Sequence, residues 1–144
     1  MDYKIYNETI RSAARAAIGA GSIEQADASV TVHNPLCGDQ VCIQVRVHNG
    51  RLIELAHRVR GCVLCEAAAS MLGEHAPGRD AEELRGVGEA VKTMLKSSDQ
   101  APAGLWSSLL VFSPVAQVES RHRCVLLPFE ALMATFDLIS EQQV

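Results

Sequence analysis

The stretch "VCIQVRVHNGRLIELAHRVRG", residues 41–61, decides the fold. Its first half alternates between apolar and polar positions, with valine or isoleucine at 41, 43, 45 and 47. This period of two is typical of a β-strand with one buried face. Asn49-Gly50 is a preferred pair for a type I′ turn, which joins two antiparallel strands. The second half then returns as the partner strand, so the stretch predicts a β-hairpin.

A third strand precedes this hairpin. The segment "ASVTVHN", residues 28–34, also alternates, and the turn "NPLCGD", residues 34–39, leads from it into the hairpin. Together the three runs predict an antiparallel meander with one apolar face.

Helical patterns surround the predicted sheet. The segment "YNETIRSAARAAI", residues 6–18, has side chains of one face at 6, 10, 14 and 18, including Ile18. Three more helices are predicted over residues 62–78, over residues 80–95 and from near Cys124 onwards. Between the last two helices lies a looser stretch with a short helical piece around Trp106. The pattern predicts an α+β fold: a small antiparallel three-stranded sheet with helices packed on one face, in one domain over residues 1–144.

The composition disfavours several classes of function. Hydrophobic residues make up 48% of the 144 residues but aromatic residues only 4%, which predicts an aliphatic, alanine-rich interior. The net charge of −4 disfavours nucleic acid as a partner, since phosphate binding needs clustered lysine and arginine. We find no apolar run of about 20 residues and no secretory signal in "MDYKIYNETI". We therefore expect a cytoplasmic protein that does not enter a membrane.

The five cysteines are an odd number, which suits metal ligands or reactive thiols in a reducing compartment better than a disulfide framework. Four groups with metal-binding chemistry fall at the ends of predicted elements: Cys37, Asp39, Cys62 and Cys124. A helix N-terminus lowers the pKa of a thiol, and the thiolate both binds metal and acts as a nucleophile. If the segments meet at one end of the sheet, they form a Cys₃Asp set suited to Zn²⁺ or to iron and sulfide. Spacing alone leaves open that these are ordinary buried cysteines.

Three blocks of sequence together resemble a known family. The blocks "NPLCGD" (34–39), "RGCVLCEAAASML" (60–72) and "RHRCVLLPFEAL" (121–132) resemble those of the IscU/NifU/SufU family of iron–sulfur cluster assembly proteins. The resemblance runs from about residue 30 to the end of the chain. It implies a SufE/NifU-like fold, and it places the metal and sulfur ligands of the family at the four groups named above.

Within that family the chain looks most like the SufU type. It has a long segment between Cys62 and Cys124, and Arg121 stands three residues before the last cysteine. The resemblance implies Zn²⁺ on the Cys₃Asp set and a persulfide sulfur that Cys37 accepts from a cysteine desulfurase of the SufS/IscS kind. Arg121 would then assist ligand exchange, and acceptor or scaffold proteins of cluster assembly would take the sulfur onward. The chain departs from the family pattern at Glu119, where proline is usual, in its N-terminal helix and at Cys65.

Other functions stay open at this point. The same four ligands suit a scaffold on which iron and sulfide form a [2Fe-2S] cluster, or a structural zinc site. A scaffold is not an enzyme, whereas a relay is a sulfurtransferase. Cys62 and Cys65 also form the C-x-x-C pattern of a redox pair, although such a pair prefers a βαβ setting. We expect Cys65 to pack in the core or to offer a spare thiol, and Cys42 to be half-exposed on its strand.

Overall fold

The computed structural model describes residues 5–36, 38–97 and 102–142. In chain order, its elements are α1 (Glu8–Ala16), β1 (Ala28–Asn34), β2 (Asp39–His48), β3 (Arg51–Arg60), α2 (Val63–His75), α3 (Ala81–Ser97), two 3-10 helices (Gly104–Gln117 and Glu119–Arg121) and α4 (His122–Gln142). None of the helices in these ranges is both long and apolar enough to cross a bilayer.

The three strands form one antiparallel sheet in the order β1-β2-β3, so the predicted meander is confirmed. Asn49 and Gly50 have φ angles of 52° and 77°, the left-handed conformations that a type I′ turn needs at both positions. The inner face of β2 is formed by three fully buried side chains: Val41, Ile43 and Val45.

The helices cover this inner face in two tiers. α4 packs on β1 and β2, and α2 packs on β3 and on α4; α1 then packs on α2, and α3 on α4. α2 is buried nearly all round, with Ala67, Ala68 and Ala69 fully inaccessible, and such small side chains let neighbouring helices approach closely. The predicted α+β class and the alanine-rich interior are therefore confirmed.

The segment before α4 is more regular than the sequence predicted. We expected a looser stretch with a short helical piece around Trp106, but a 3-10 helix covers Gly104–Gln117. Its buried residues recur at every third position: Trp106, Leu109, Phe112 and Val115. A 3-10 helix has three residues per turn, so this spacing places all four side chains on one stripe that faces the core.

α1 ends earlier than the sequence predicted. Ala17 adopts a left-handed conformation with φ 44°, and Ile18 beyond it is 39% exposed. The prediction that Ile18 lies on one helical face with Tyr6, Ile10 and Ala14 was therefore wrong, because α1 ends before it. Its backbone is held instead, because its N–H donates to Ser70 Oγ at 3.0 Å and its carbonyl oxygen lies 2.8 Å from His57 Nε2.

The loop after α1 lies directly on α2 at Gly73. A Cβ atom at Gly73 would overlap the carbonyl oxygen of Ile18 and would lie 3.1 Å from the Cα of Gly19. These are backbone atoms, which a small side-chain rotation cannot move away. The space that a side chain at position 73 would need is therefore filled by the loop.

We expect Gly73→Ala to lower the free energy of unfolding by about 2 kcal/mol or more, because the inserted methyl group overpacks a rigid contact. Gly86→Ala is the matched control, since a Cβ at this position of α3 meets open space and alanine favours a helix over glycine by up to about 1 kcal/mol. Urea unfolding measures both variants. Changes of the same sign and size would contradict the packing of the loop on α2.

Candidate metal centre

Three elements place their ends at one rim of the sheet. Asp39 is the first residue of β2, Cys62 is the N-cap residue of α2 just after β3, and Cys124 lies in the first turn of α4. One ligand atom from each of the three lies within 4.8 Å of the other two. Cys37 lies outside the described residues, so its place in the set stays a prediction.

Asp39 is the most informative member of this group. The residue is only 6% exposed, and its Oδ2 atom is buried with no hydrogen-bond partner among the described residues. A buried polar atom without a partner is costly and calls for an explanation. A cation shared with the two neighbouring thiols would satisfy this oxygen, so the donor set fits a metal ion.

Gly61 makes room for the carboxylate. A Cβ atom at Gly61 would lie 2.8 Å from Cγ of Asp39 and 2.9 Å from its Oδ1. Any larger residue at position 61 would therefore require the Asp39 carboxylate to move from this position. In the sequence, Gly61 is visible only as the residue between the third strand and Cys62. Nothing in the pattern indicates that the Asp39 side chain packs against it.

A hydrogen bond between the two thiols drives their pKa values apart. The pKa of Cys62 is lowered to about 7, chiefly by a hydrogen bond from Cys124, while burial works in the opposite direction. Backbone N–H groups of Cys65 and Leu64, in the first turn of α2, also lower it. The pKa of Cys124 is raised, because its proton is held in the hydrogen bond to Cys62 and because the group is buried. Cys62 is therefore the thiol of the pair that ionises more readily near neutral pH.

Arg121 borders the same centre. Its pKa is raised first by the ionisable phenol of Tyr6 and next by a hydrogen bond to Cys124. The residue ends the short 3-10 helix before α4 and is partly exposed. The guanidinium group therefore faces the thiol pair from the solvent side.

Other candidate residues lie elsewhere. Cys42 is half-buried on the outer face of the sheet, 3.7 Å from Ser29 Oγ. Cys65 is fully buried in the core. His122 directs its Nε2 to the carbonyl oxygen of Ala116 at 3.2 Å. The expectations for Cys42 and Cys65 are thus confirmed, and the antiparallel sheet lacks the βαβ setting of a thioredoxin-like redox pair.

This combination of a three-stranded meander, a helical layer and a Cys/Asp rim defines a known class of domain. The family model of the NifU-like N terminal domain matches residues 5–103. The chain therefore belongs to this family, as the IscU/NifU/SufU resemblance predicted.

Individual relatives agree with this placement. The chain is 40% identical over 63 residues to "Iron-sulfur cluster assembly scaffold protein IscU 1" of Archaeoglobus fulgidus, a match that covers 44% of this chain and 41% of that protein. It is 21% identical over 103 residues to "Zinc-dependent sulfurtransferase SufU" of Bacillus subtilis, covering 72% and 70%. The crystal structure of a nitrogen-fixing NifU-like protein (N-terminal) from Brucella abortus superposes with a TM-score of 0.92 at 33% identity, covering 96% of each chain.

We expect Gly61→Ala to weaken Zn²⁺ binding by tenfold or more, roughly the effect of removing a group that orients a metal ligand. Gly88→Ala is the matched control, because its Cβ would meet Phe129 at an ordinary 3.7 Å. Competition with a chromophoric chelator measures both affinities. Equal Zn²⁺ affinities for Gly61→Ala and the unaltered protein would mean that the space at Gly61 does not position Asp39 as a metal ligand.

Proposed function

We propose that the protein is a zinc-dependent sulfur acceptor of iron–sulfur cluster assembly, which takes persulfide sulfur from a cysteine desulfurase. The observation that carries this proposal is the convergence of Asp39, Cys62 and Cys124 around a carboxylate oxygen that has no partner among the described residues. Cys37, two residues before Asp39, completes the set in sequence. We further propose that residues 1–144 act as one domain.

Cys37, Asp39, Cys62 and Cys124 would hold the zinc ion. Three thiolates and one carboxylate are a tetrahedral donor set for Zn²⁺, and the name of the Bacillus subtilis relative supports zinc as the metal. When bound, the ion keeps the thiols deprotonated at neutral pH. The carboxylate is a harder ligand than thiolate, which suits a site whose ligands exchange.

Cys37 is the sulfur acceptor in this proposal. Its thiolate attacks the outer sulfur of a cysteine persulfide on the donor. A sulfur–sulfur bond forms at Cys37 while the one in the donor breaks, and the donor cysteine leaves as a thiolate, so no oxidant or reductant is consumed. The positive charge of Arg121, which contacts Cys124, stabilises the anionic sulfur during this exchange.

A scaffold for a [2Fe-2S] cluster is the second candidate function. The name of the Archaeoglobus fulgidus relative supports it, and the same thiolates and carboxylate can hold iron and sulfide as substrates. A purely structural zinc site is less well supported, because such sites are closed by four strong ligands, whereas Cys62 is only partly buried.

The partners follow from the sulfur-acceptor proposal. A desulfurase of the SufS/IscS kind supplies the sulfur, and acceptor or scaffold proteins of cluster assembly receive it. We place this exchange in the cytoplasm, where thiols stay reduced.

Metal content and desulfurase turnover test this proposal. We expect the purified protein to be colourless, to contain stoichiometric zinc and to speed alanine release from cysteine by the desulfurase. Arg121→Ala should keep the zinc but lower this stimulation by about tenfold, which corresponds to about 1.4 kcal/mol in the transition state. Arg123→Ala is the control, since this exposed neighbour pairs with Glu130, and it should behave like the unaltered protein.

Two results would contradict the relay. A brown protein that absorbs visible light after incubation with iron and sulfide, and that leaves desulfurase turnover unchanged, would favour the scaffold. Stimulation that survives Arg121→Ala unchanged would remove this residue from the exchange.

A further inference from the structure

Two adjoining cavities lie beside α1. The larger, of about 570 Å³, lies over the outer face of the sheet beside the end of α1. The smaller, of about 340 Å³, lies between α1 and α2, and both cavities are lined by Ala14 and Glu66. Their cationic lining residues are four arginines, which define what we name the arginine cleft: Arg11, Arg15, Arg58 and Arg60.

The register of the sheet creates the floor of this cleft. Arg58 pairs with Cys42 and Arg60 with Gln40, so both arginines point outward on the same face as these polar neighbours. The inner face of the same strands is buried under α2 and α4. The outward direction of these guanidinium groups therefore follows from the alternation that builds the core.

The cleft is electropositive on a chain whose net charge is −4. Arg15 forms an ion pair with Glu8, whereas the described residues contain no ion-pair partner for Arg11, Arg58 or Arg60 within 4 Å. Glu66 is the one carboxylate among the residues that line the two cavities. Concentrated charge of one sign in a concave surface attracts a partner of the opposite sign.

The cleft leads towards the metal centre. Arg60 lies two residues before Cys62, and Val63, directly after Cys62, lines the smaller cavity. Gln40, in the larger cavity, directly follows Asp39. A segment lying in the cleft would therefore end within a few residues of the candidate ligands, at roughly 3.3 Å per extended residue.

We propose that the arginine cleft binds an acidic, extended segment of the protein that donates sulfur to the metal centre. This proposal rests on the sulfur-acceptor function, and it adds the chemistry by which the donor is recognised. The charge complementarity of unpaired guanidinium groups to carboxylates favours an acidic occupant. The two adjoining cavities extend along α1 and the sheet, a shape that suits a peptide in an extended conformation.

Binding of a rhodamine-labelled hexaglutamate peptide, followed by fluorescence anisotropy at low salt, tests the recognition chemistry without a desulfurase. We expect Arg58→Glu/Arg60→Glu to weaken binding at least about fivefold, given the worth of exposed charge pairs. Glu66→Gln should tighten binding, because it removes the carboxylate of the cleft. Affinity for the unaltered protein should fall as salt rises.

The matched control is Lys92→Glu/Lys96→Glu. It makes the same change in net charge on α3, where both lysines line a separate cavity between α3 and α4. This variant should bind the peptide within about twofold of the unaltered protein, since its lysines line a cavity that shares no residue with the arginine cleft. Equal loss in the two double variants, or a greater loss with the lysines, would overturn the cleft as the binding surface.

The same variants in the desulfurase assay separate this proposal from the function on which it rests. We expect Arg58→Glu/Arg60→Glu to keep its zinc and to need at least about fivefold more protein for half-maximal stimulation of the desulfurase. If this variant reached half-maximal stimulation at the same concentration as the unaltered protein, the cleft would be overturned as the docking surface. The sulfur-acceptor function would be unaffected by that result. No stimulation by the unaltered protein would remove that function, and with it the assignment of the occupant as the sulfur donor.

Discussion

The pairing register of β2 and β3 is the constraint on which the metal centre depends. Gln40 pairs with Arg60, so Asp39 and Gly61 come side by side just beyond the last pair of the ladder. A slip of one residue would turn the apolar side chains of β2 outward and carry Asp39 away from the rim. Burial of Val41 and Ile43, each worth about 1.5–3 kcal/mol, therefore also holds the carboxylate in position.

The surroundings of the rim also affect the charges of the candidate ligands. Asp39 and Cys124 are buried there. N–H groups from the first turn of α2 lie against Cys62, and the guanidinium group of Arg121 lies against Cys124. The N–H groups and the guanidinium favour negative charge, while burial disfavours it when no cation is present. The polypeptide thus brings acidic ligands together at a position where a bound cation would offset the cost of burying their negative charge. The helical layer behind the rim contributes packing and the first turns of α2 and α4, which aim their cysteines at the same point.

Much of this arrangement was predictable from local patterns. The alternation around Asn49-Gly50 predicts the hairpin. The placement of Asp39, Cys62 and Cys124 at the ends of elements only allows them to meet, and the family resemblance predicts that they do. The role of Gly61 was not predictable, because it depends on a contact across the rim and leaves no periodic signal. The 3-10 helix carried a readable signal in its spacing of three, but such helices are so often short that a looser segment is the ordinary expectation.

The central claim is that groups far apart in sequence share one ion. Zinc K-edge X-ray absorption on the purified protein tests it most directly. We expect three sulfur neighbours at about 2.3 Å and one oxygen at about 2.0 Å, with one sulfur fewer in Cys62→Ser and in Cys124→Ser. A zinc site whose sulfur count is the same in both variants as in the unaltered protein would contradict it.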